Sequence, residues 1–167
     1  MRTAANKIES EAPAVYGVPA IITEAEQKTL DKAIKIVNRQ FSRGATLTNP
    51  AETMRYLKIL LGHHKHEVFG VLMLDNRNRA ICFREMFRGT IDGASVYPRE
   101  IVKQALADNA AAVILAHNHP SGVDEPSQAD IRITERLKNA LALVDVRVLD
   151  HIIIGETCTC LSERGLI

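Results

Sequence analysis

The chain has 167 residues, of which 46% are hydrophobic and 25% charged, and its 21 Lys and Arg against 20 Asp and Glu leave a net charge of +1. That length suits one domain with a full core rather than two, and the near-neutral balance excludes a binder that works through overall positive charge, as a strong nucleic-acid binder would. No apolar run approaches the ~20 residues needed to span a bilayer, no signal segment opens the chain, and Cys82, Cys158 and Cys160 make no disulfide framework, so a cytoplasmic protein with free thiols and no membrane partner is expected.

Residues 1–20 mix polarity around Pro13, Gly17 and Pro19 and predict an irregular arm. Thr23-Glu24-Ala25-Glu26 has the form of a capping box. Leu30, Ile34, Val37 and Phe41 follow at helical spacing, which predicts a helix over 24–43 that stops near Gly44. Its apolar face must bury against the rest of the chain or, alternatively, against a second subunit in a homo-oligomer. Asn49-Pro50 supplies an N-cap and a first-turn proline for a second helix, with Met54, Leu57 and Leu61 along one face. His63, His64 and His66 come next, beside Lys65 and with no carboxylate among them except Glu67. They are read as solvated loop residues rather than a second metal cluster.

Two apolar runs, 68–74 and 80–87, are joined by Asn76-Arg77-Asn78-Arg79 and predict a hairpin. After turns at Gly89-Thr90 and Asp92-Gly93, Pro98 opens a helix with Ile101, Val102, Ala105 and Leu106 on its buried side, ended by Asp108-Asn109.

The stretch 117–130 reads HNHPSGVDEPSQAD. The apolar run 111–116 before it predicts a buried strand, so His117 and His119 leave the strand end two apart and on the same side. Pro120, Ser121 and Gly122 turn the chain, Pro126-Ser127 forms a helix entrance, and Asp130 falls in the first turn, where it can fold back over the strand end. Two imidazoles and a carboxylate suit Zn²⁺ and leave a fourth position for water, which separates a catalytic zinc from a structural one. The helix is expected over 127–143, with Ile131, Leu137, Ala140, Leu141 and Val144 inward. Asp145 breaks it before a strand over 146–154. In that strand His151 is read as a packed, hydrogen-bonded core residue, and Asp150 as candidate support for a ligating imidazole. Residues 156–167 are expected to add an edge strand. The order helix, helix, hairpin, helix, strand, helix, strand predicts an α+β fold (α/β three-layer) with helices flanking a mixed sheet.

H-x-H, seven residues, Ser, two residues and Asp, formed here by His117, His119, Ser127 and Asp130, resembles the JAMM motif of the JAB/MPN metalloproteases. The strings HNHPSG and PSQAD, with Asp150-His151-Ile152-Ile153-Ile154, are similar to its RadC branch. The resemblance spans about residues 49–167. It implies an N-terminal arm and helix over 1–47 ahead of a JAB/MPN domain over 48–167, with a curved mixed sheet in a cytidine-deaminase-like arrangement. It also implies one Zn²⁺ per chain held by His117, His119 and Asp130, Glu67 as the proton carrier, and Ser127 as a hydrogen-bond donor to the developing oxyanion. The residues alone do not choose Glu67 over Glu85 or Asp150. The activity so implied is hydrolysis of an amide, peptide or isopeptide bond in a peptide or protein substrate. Ser95 and Arg99 lie in another RadC-like stretch and are read as structural, with substrate contact as the alternative. The RadC branch carries a DNA-repair name, so the alternative function is a DNA-associated module or a metal-dependent nuclease. Against it, the helix over 24–43 lacks the paired-helix, glycine-rich turn pattern of a helix-hairpin-helix segment, and the net charge does not point to nucleic acid.

Overall fold

The seven residues of Ala112–Asn118 are all buried, and the remaining elements are layered on the two faces of that strand. The computed structural model describes residues 23–40, 49–89 and 95–167. Its elements are α1 (Glu24–Gln40), α2 (Pro50–Leu61), β1 (Val68–Leu74), β2 (Ala80–Arg88), α3 (Pro98–Ala107), β3 (Ala112–Asn118), α4 (Gln128–Ala142), β4 (Arg147–Ile154) and β5 (Cys158–Cys160). The strands form one sheet in the order β2-β1-β3-β4-β5. β3 and β4 are parallel and the other pairs antiparallel. A parallel pair needs a crossover, and α4 is that crossover.

Alternation along β3 divides the core. Val113 and Leu115, with Val71 and Met73 of β1, pack against Ile101 and Ala105 of α3 and Leu137 and Leu141 of α4. Ile114 and Ala116, with Leu72, Ile152 and Ile154, pack against Tyr56, Leu57, Leu60 and Leu61 of α2. This is the expected helix–sheet–helix arrangement. The same alternation carries His117 to the α4 side, while Asn118 bonds residues of the loop that follows α2.

One irregularity matters for the site. Val113 pairs with Val148, but Ile114 pairs with Asp150, so Leu149 is an extra residue in β4. The inserted residue resets the alternation. Val148 packs on the α3/α4 side and Leu149 on the α2 side, and His151 again comes to the α4 side.

The helix starts follow their capping residues. Asn49 Oδ1 accepts from Ala51 N at 2.9 Å. Thr23 and Glu26 exchange backbone-to-side-chain bonds of 2.8 and 3.3 Å. Helix α1 ends at Gln40, and of its expected apolar face Leu30 and Ile34 are half-buried, with Ile34 packed on the α2-side core. Phe41, the stop near Gly44, the side chain of Val37, the arm over 1–20 and the turn at Thr90 and Asp92-Gly93 lie outside the described residues.

Three expectations are corrected. Leu106 is 54% exposed, because Ile101 and Ala105 set the buried stripe of α3 and Leu106 sits about 100° around the helix from Ala105. On α4 the buried positions are Asp130, Thr134, Leu137 and Leu141, with Ile131 and Ala140 only half-buried, while Val144, past the helix end, packs on the α3/α4-side core as expected. The loop histidines are not solvated. His63, His64 and His66 are half-buried, and His63 Nδ1, His64 Nε2 and His66 Nε2 are buried without a hydrogen-bond partner. Asn118 Nδ2 donates to the carbonyls of His64 and His66 at 3.2 and 3.0 Å and ties the loop to the end of β3, and the three rings lie against one another.

Candidate metal centre

His117 is the penultimate residue of β3, and its ring is 1% exposed. It stacks on Phe69 of β1, with ring centroids 6.0 Å apart and planes 12° from parallel. His119 lies just past the strand, where its backbone N–H donates to Ile154 O at 2.8 Å and continues the β3–β4 pairing by one residue. Asp130 is in the first turn of α4, fixed by a reciprocal cap with Ser127. Ser127 N donates to Asp130 Oδ2 at 2.8 Å, the Ser127 hydroxyl donates to the same oxygen at 2.6 Å, and Asp130 N donates back to Ser127 Oγ at 3.2 Å.

The ligand atoms of these three side chains lie within 4.8 Å of one another, and among the described residues they are the one such group of His, Cys, Asp and Glu. His117 Nε2 is 2.9 Å from His119 Nε2, 3.2 Å from Asp130 Oδ1, and His119 Nε2 is 3.7 Å from Asp130 Oδ2. Nitrogen and oxygen ligands about 2.1 Å from a tetrahedral ion sit about 3.4 Å apart, so the spacing fits a metal ion.

The ring tautomers fit it as well. His119 Nδ1 faces Val123 O at 2.6 Å. A carbonyl only accepts, so Nδ1 carries the proton and Nε2 presents its lone pair. For His117 the constraint arrives through two further residues. The Thr134 hydroxyl donates to Asp130 O at 2.6 Å, which uses its single hydrogen. At 2.6 Å from His151 Nδ1, Thr134 Oγ1 must then accept, which leaves His151 Nε2 as the acceptor for His117 Nδ1–H at 2.8 Å. His117 Nε2 is thereby also a bare lone pair. Two lone pairs and a carboxylate oxygen thus converge with no donor among them, which is the donor set a cation completes.

The electrostatics agree. Burial raises the Asp130 carboxyl, a protonated His117 ring beside it and two bonds from Ser127 lower it, and the net shift is downward, so the carboxylate calls for positive charge at this point, from an imidazolium or, with both rings neutral, from a cation. Burial first, and the neighbouring His117 second, push His151 well below its ordinary value, so His151 is neutral near pH 7, as the chain of donors requires.

The centre opens into a cleft of about 550 Å³ whose walls include Glu67, Ser95, Tyr97, Ser127, Ile133 and Arg136. Glu67 thus shares the cleft with His119 and Asp130, from the residue before β1. Ser127 reaches it too, although its hydroxyl hydrogen is engaged by Asp130. Ser95 lines the cleft, while Arg99 pairs with its neighbour Glu100 at 3.3 Å. Asp150 does not support a ligating imidazole. It accepts from His151 N at 2.7 Å and from Ser162 N and Oγ at 3.1 and 2.8 Å, because the extra residue Leu149 turns it away from α4. The support comes from His151 and Thr134, and sequence reasoning missed that role. The available signal was spacing: Thr134 follows Asp130 by one helical turn.

A family model described as "RadC-like JAB domain" matches residues 47–166. The chain belongs to the RadC-like JAB domain family. Relatives with the printed name "UPF0758 protein" carry the likeness across most of the chain. One from Vibrio cholerae is 60% identical over 140 residues, covering 84% of this chain and 89% of its own. One from Marinobacter nauticus is 59% identical over 142 residues, covering 84% of this chain and 63% of its own, and one from Halorhodospira halophila is 58% identical over 142 residues with the same two shares. The chain therefore spans under two thirds of the length of these last two relatives. As a RadC-like JAB domain it has a metal-capable His-His-Asp centre in an open cleft, the equipment of a metal-dependent hydrolase. No helix among its described residues is long and apolar enough to cross a membrane.

Proposed function

We propose that this chain is a zinc-dependent hydrolase of the JAMM type that cleaves an amide bond, peptide or isopeptide, in a peptide or protein. The observation that carries the reading is the convergence of His117 Nε2, His119 Nε2 and an Asp130 oxygen at the end of a cleft that Glu67 also lines. When bound, Zn²⁺ supplies Lewis acidity and a water ligand acidic enough to lose a proton near pH 7. His117, His119 and Asp130 hold the ion, and the bonds from His117 to His151 and from Ser127 to Asp130 keep the ligand atoms aimed. Glu67 takes the proton of the attacking water and delivers it to the departing amine, a task suited to a carboxylate that lines the same cleft. Ser127 steadies the negative charge that grows on the carbonyl oxygen, turning its hydroxyl from Asp130 toward the substrate as that charge develops.

The test pairs metal analysis with turnover on amide and phosphodiester substrates. Purified protein is expected to carry about one zinc per chain. Glu67→Gln is expected to retain the metal and lose at least a hundredfold in rate, within the range general acid–base catalysis supplies. Cleavage of DNA but of no amide, or full activity in Glu67→Gln, overturns the assignment.

A further inference from the structure

The cleft that leads from the metal centre is chemically graded along α4. Asp130, Ile133 and Arg136 all line it, three residues apart, so they follow one another at about 4.5 Å intervals along the helix axis. The metal end is anionic, with Asp130 and Glu67. Beyond it the α4 wall is apolar at Ile133, and Phe69 and Val96 add further apolar lining. Arg136 stands about 9 Å along the axis from Asp130, and Tyr97, 58% exposed, lines the same cleft. Among the described residues that line the cleft, Arg136 is the one Lys or Arg. Four other exposed arginines answer an acid, Arg84 with Asp108, Arg88 with Glu85, Arg99 with Glu100 and Arg164 with Glu125, and Arg147 bonds the Asn78 side chain. Arg136 makes no hydrogen bond or ion pair among the described residues. A guanidinium is charged at every relevant pH and presents a fork of donors matched to a carboxylate.

The geometry points to Arg136 as a subsite for a carboxylate of the substrate, which names the substrate class as a peptide bearing an acidic group two or three residues from the bond cut. The inference rests on the hydrolase reading for the position of that bond. An extended peptide advances about 3.3–3.6 Å per residue, so 9 Å corresponds to between two and three residues, with one apolar side chain over Ile133 between. The carboxylate is either a free C-terminus or an Asp or Glu side chain. A nucleic acid is disfavoured, because backbone recognition needs several cations against successive phosphates and this cleft sets one cation beside two carboxylates.

The probes are the zinc-loaded chain and four peptides: acetyl-Ala-Ala-Leu-Ala-Glu-amide, its Gln counterpart, and acetyl-Ala-Ala-Leu-Ala with a free or an amidated C-terminus. Binding is read from the NMR signal of the Arg136 Nε–H and from titration, and cleavage from product release. A carboxylate peptide is expected to bind at least about tenfold tighter than its neutral twin, the size of one charge-assisted contact. That preference is expected to vanish in Arg136→Gln and to survive in part in Arg136→Lys. Where a peptide is cut, Arg136→Gln is expected to raise KM and leave kcat within about twofold. The Glu and free-C-terminus pairs report which source the subsite takes. Cleavage without charge preference, or a preference unchanged in Arg136→Gln, overturns the subsite and leaves the hydrolase reading standing. Arg136-dependent binding with no cleavage leaves the subsite standing and removes the hydrolase reading. Absence of binding by all four peptides, or tighter Arg136-dependent binding of a single-stranded oligonucleotide, overturns the peptide class.

Discussion

His117 Nδ1 lies 2.8 Å from His151 Nε2, two buried imidazoles on neighbouring parallel strands. Thr134 closes the far side of the pair at 2.6 Å from His151 Nδ1. A metal ligand's tautomer is set by the bond its other nitrogen makes. Here that bond reaches back to a helix carbonyl, Asp130 O, of another candidate ligand residue. Thr134→Val removes the acceptor, and His151→Phe removes the relay. Each is expected to weaken metal binding about ten- to a hundredfold, the usual effect of losing such support, while Thr134→Ser stays near the parent. Chelator competition measures it, with thermal melts of the metal-free proteins alongside. Unchanged affinity in both disruptive variants removes the relay from the account.

Ser127 holds two roles that one substitution separates. Its side chain caps α4 and grips Asp130 Oδ2. Ser127→Ala is expected to cost about 1 kcal/mol of metal-free stability, the usual loss for an N-cap, or a melting temperature lower by roughly 2–4 °C. It is also expected to weaken metal binding, since Asp130 loses its restraint. A variant that loses only turnover, with stability and metal affinity intact, assigns Ser127 to the oxyanion alone.

The local parts of this architecture were legible. The metal motif is contiguous, so a strand exit, a turn and a capped helix specify it within 14 residues, from His117 to Asp130. Helix α2 and the β1–β2 hairpin carry their own caps and turns. What could not be read depends on register. His151 reaches His117 only because Leu149 is an extra residue in β4, and no periodicity announces an insertion of one residue. Asp150 looked like a support because acids commonly orient histidines, yet the same insertion turned it toward Ser162. The loop histidines looked solvated because the loop is tied down by Asn118, some 52 residues away in sequence from His66.

The metal loop also rests on a glycine. A Cβ at Gly155 would lie 2.3 Å from Gly122 O and 2.8 Å from Asp124 N, both backbone atoms that cannot swing aside as a side chain would. The segment between them contains Val123, whose carbonyl fixes the His119 ring. Gly155→Ala is expected to cost about 1–3 kcal/mol, as overpacking does, and to weaken metal binding by loosening His119. Calorimetric melting and chelator competition test both arms. A variant with the parent's stability and metal affinity shows that the loop accommodates the methyl freely.

Away from the centre, Arg84 on β2 and Asp108 at the end of α3 form a two-pronged pair at 2.6 and 3.0 Å, and Gln104 adds a bond to Asp108 at 2.8 Å. The hydrogen bond from Arg84 holds the Asp108 carboxyl at about 2, against about 3.9 in an unfolded chain. A lowered folded-state value means the folded form binds its proton less readily, so the pair stabilises above the unfolded value. Its contribution fades as the pH falls from about 4 toward 2, where the folded carboxyl also takes up its proton. Arg84 is 47% exposed, and solvent screening reduces the contribution to about 1 kcal/mol. Asp108→Asn keeps the shape and an acceptor for Gln104 but removes the charge. It is expected to be less stable than the parent by about that amount at pH 6, with the gap closing between pH 4 and pH 2. Urea unfolding of both proteins at several pH values in that window checks it. A gap that is constant with pH assigns the cost to packing rather than to the ion pair.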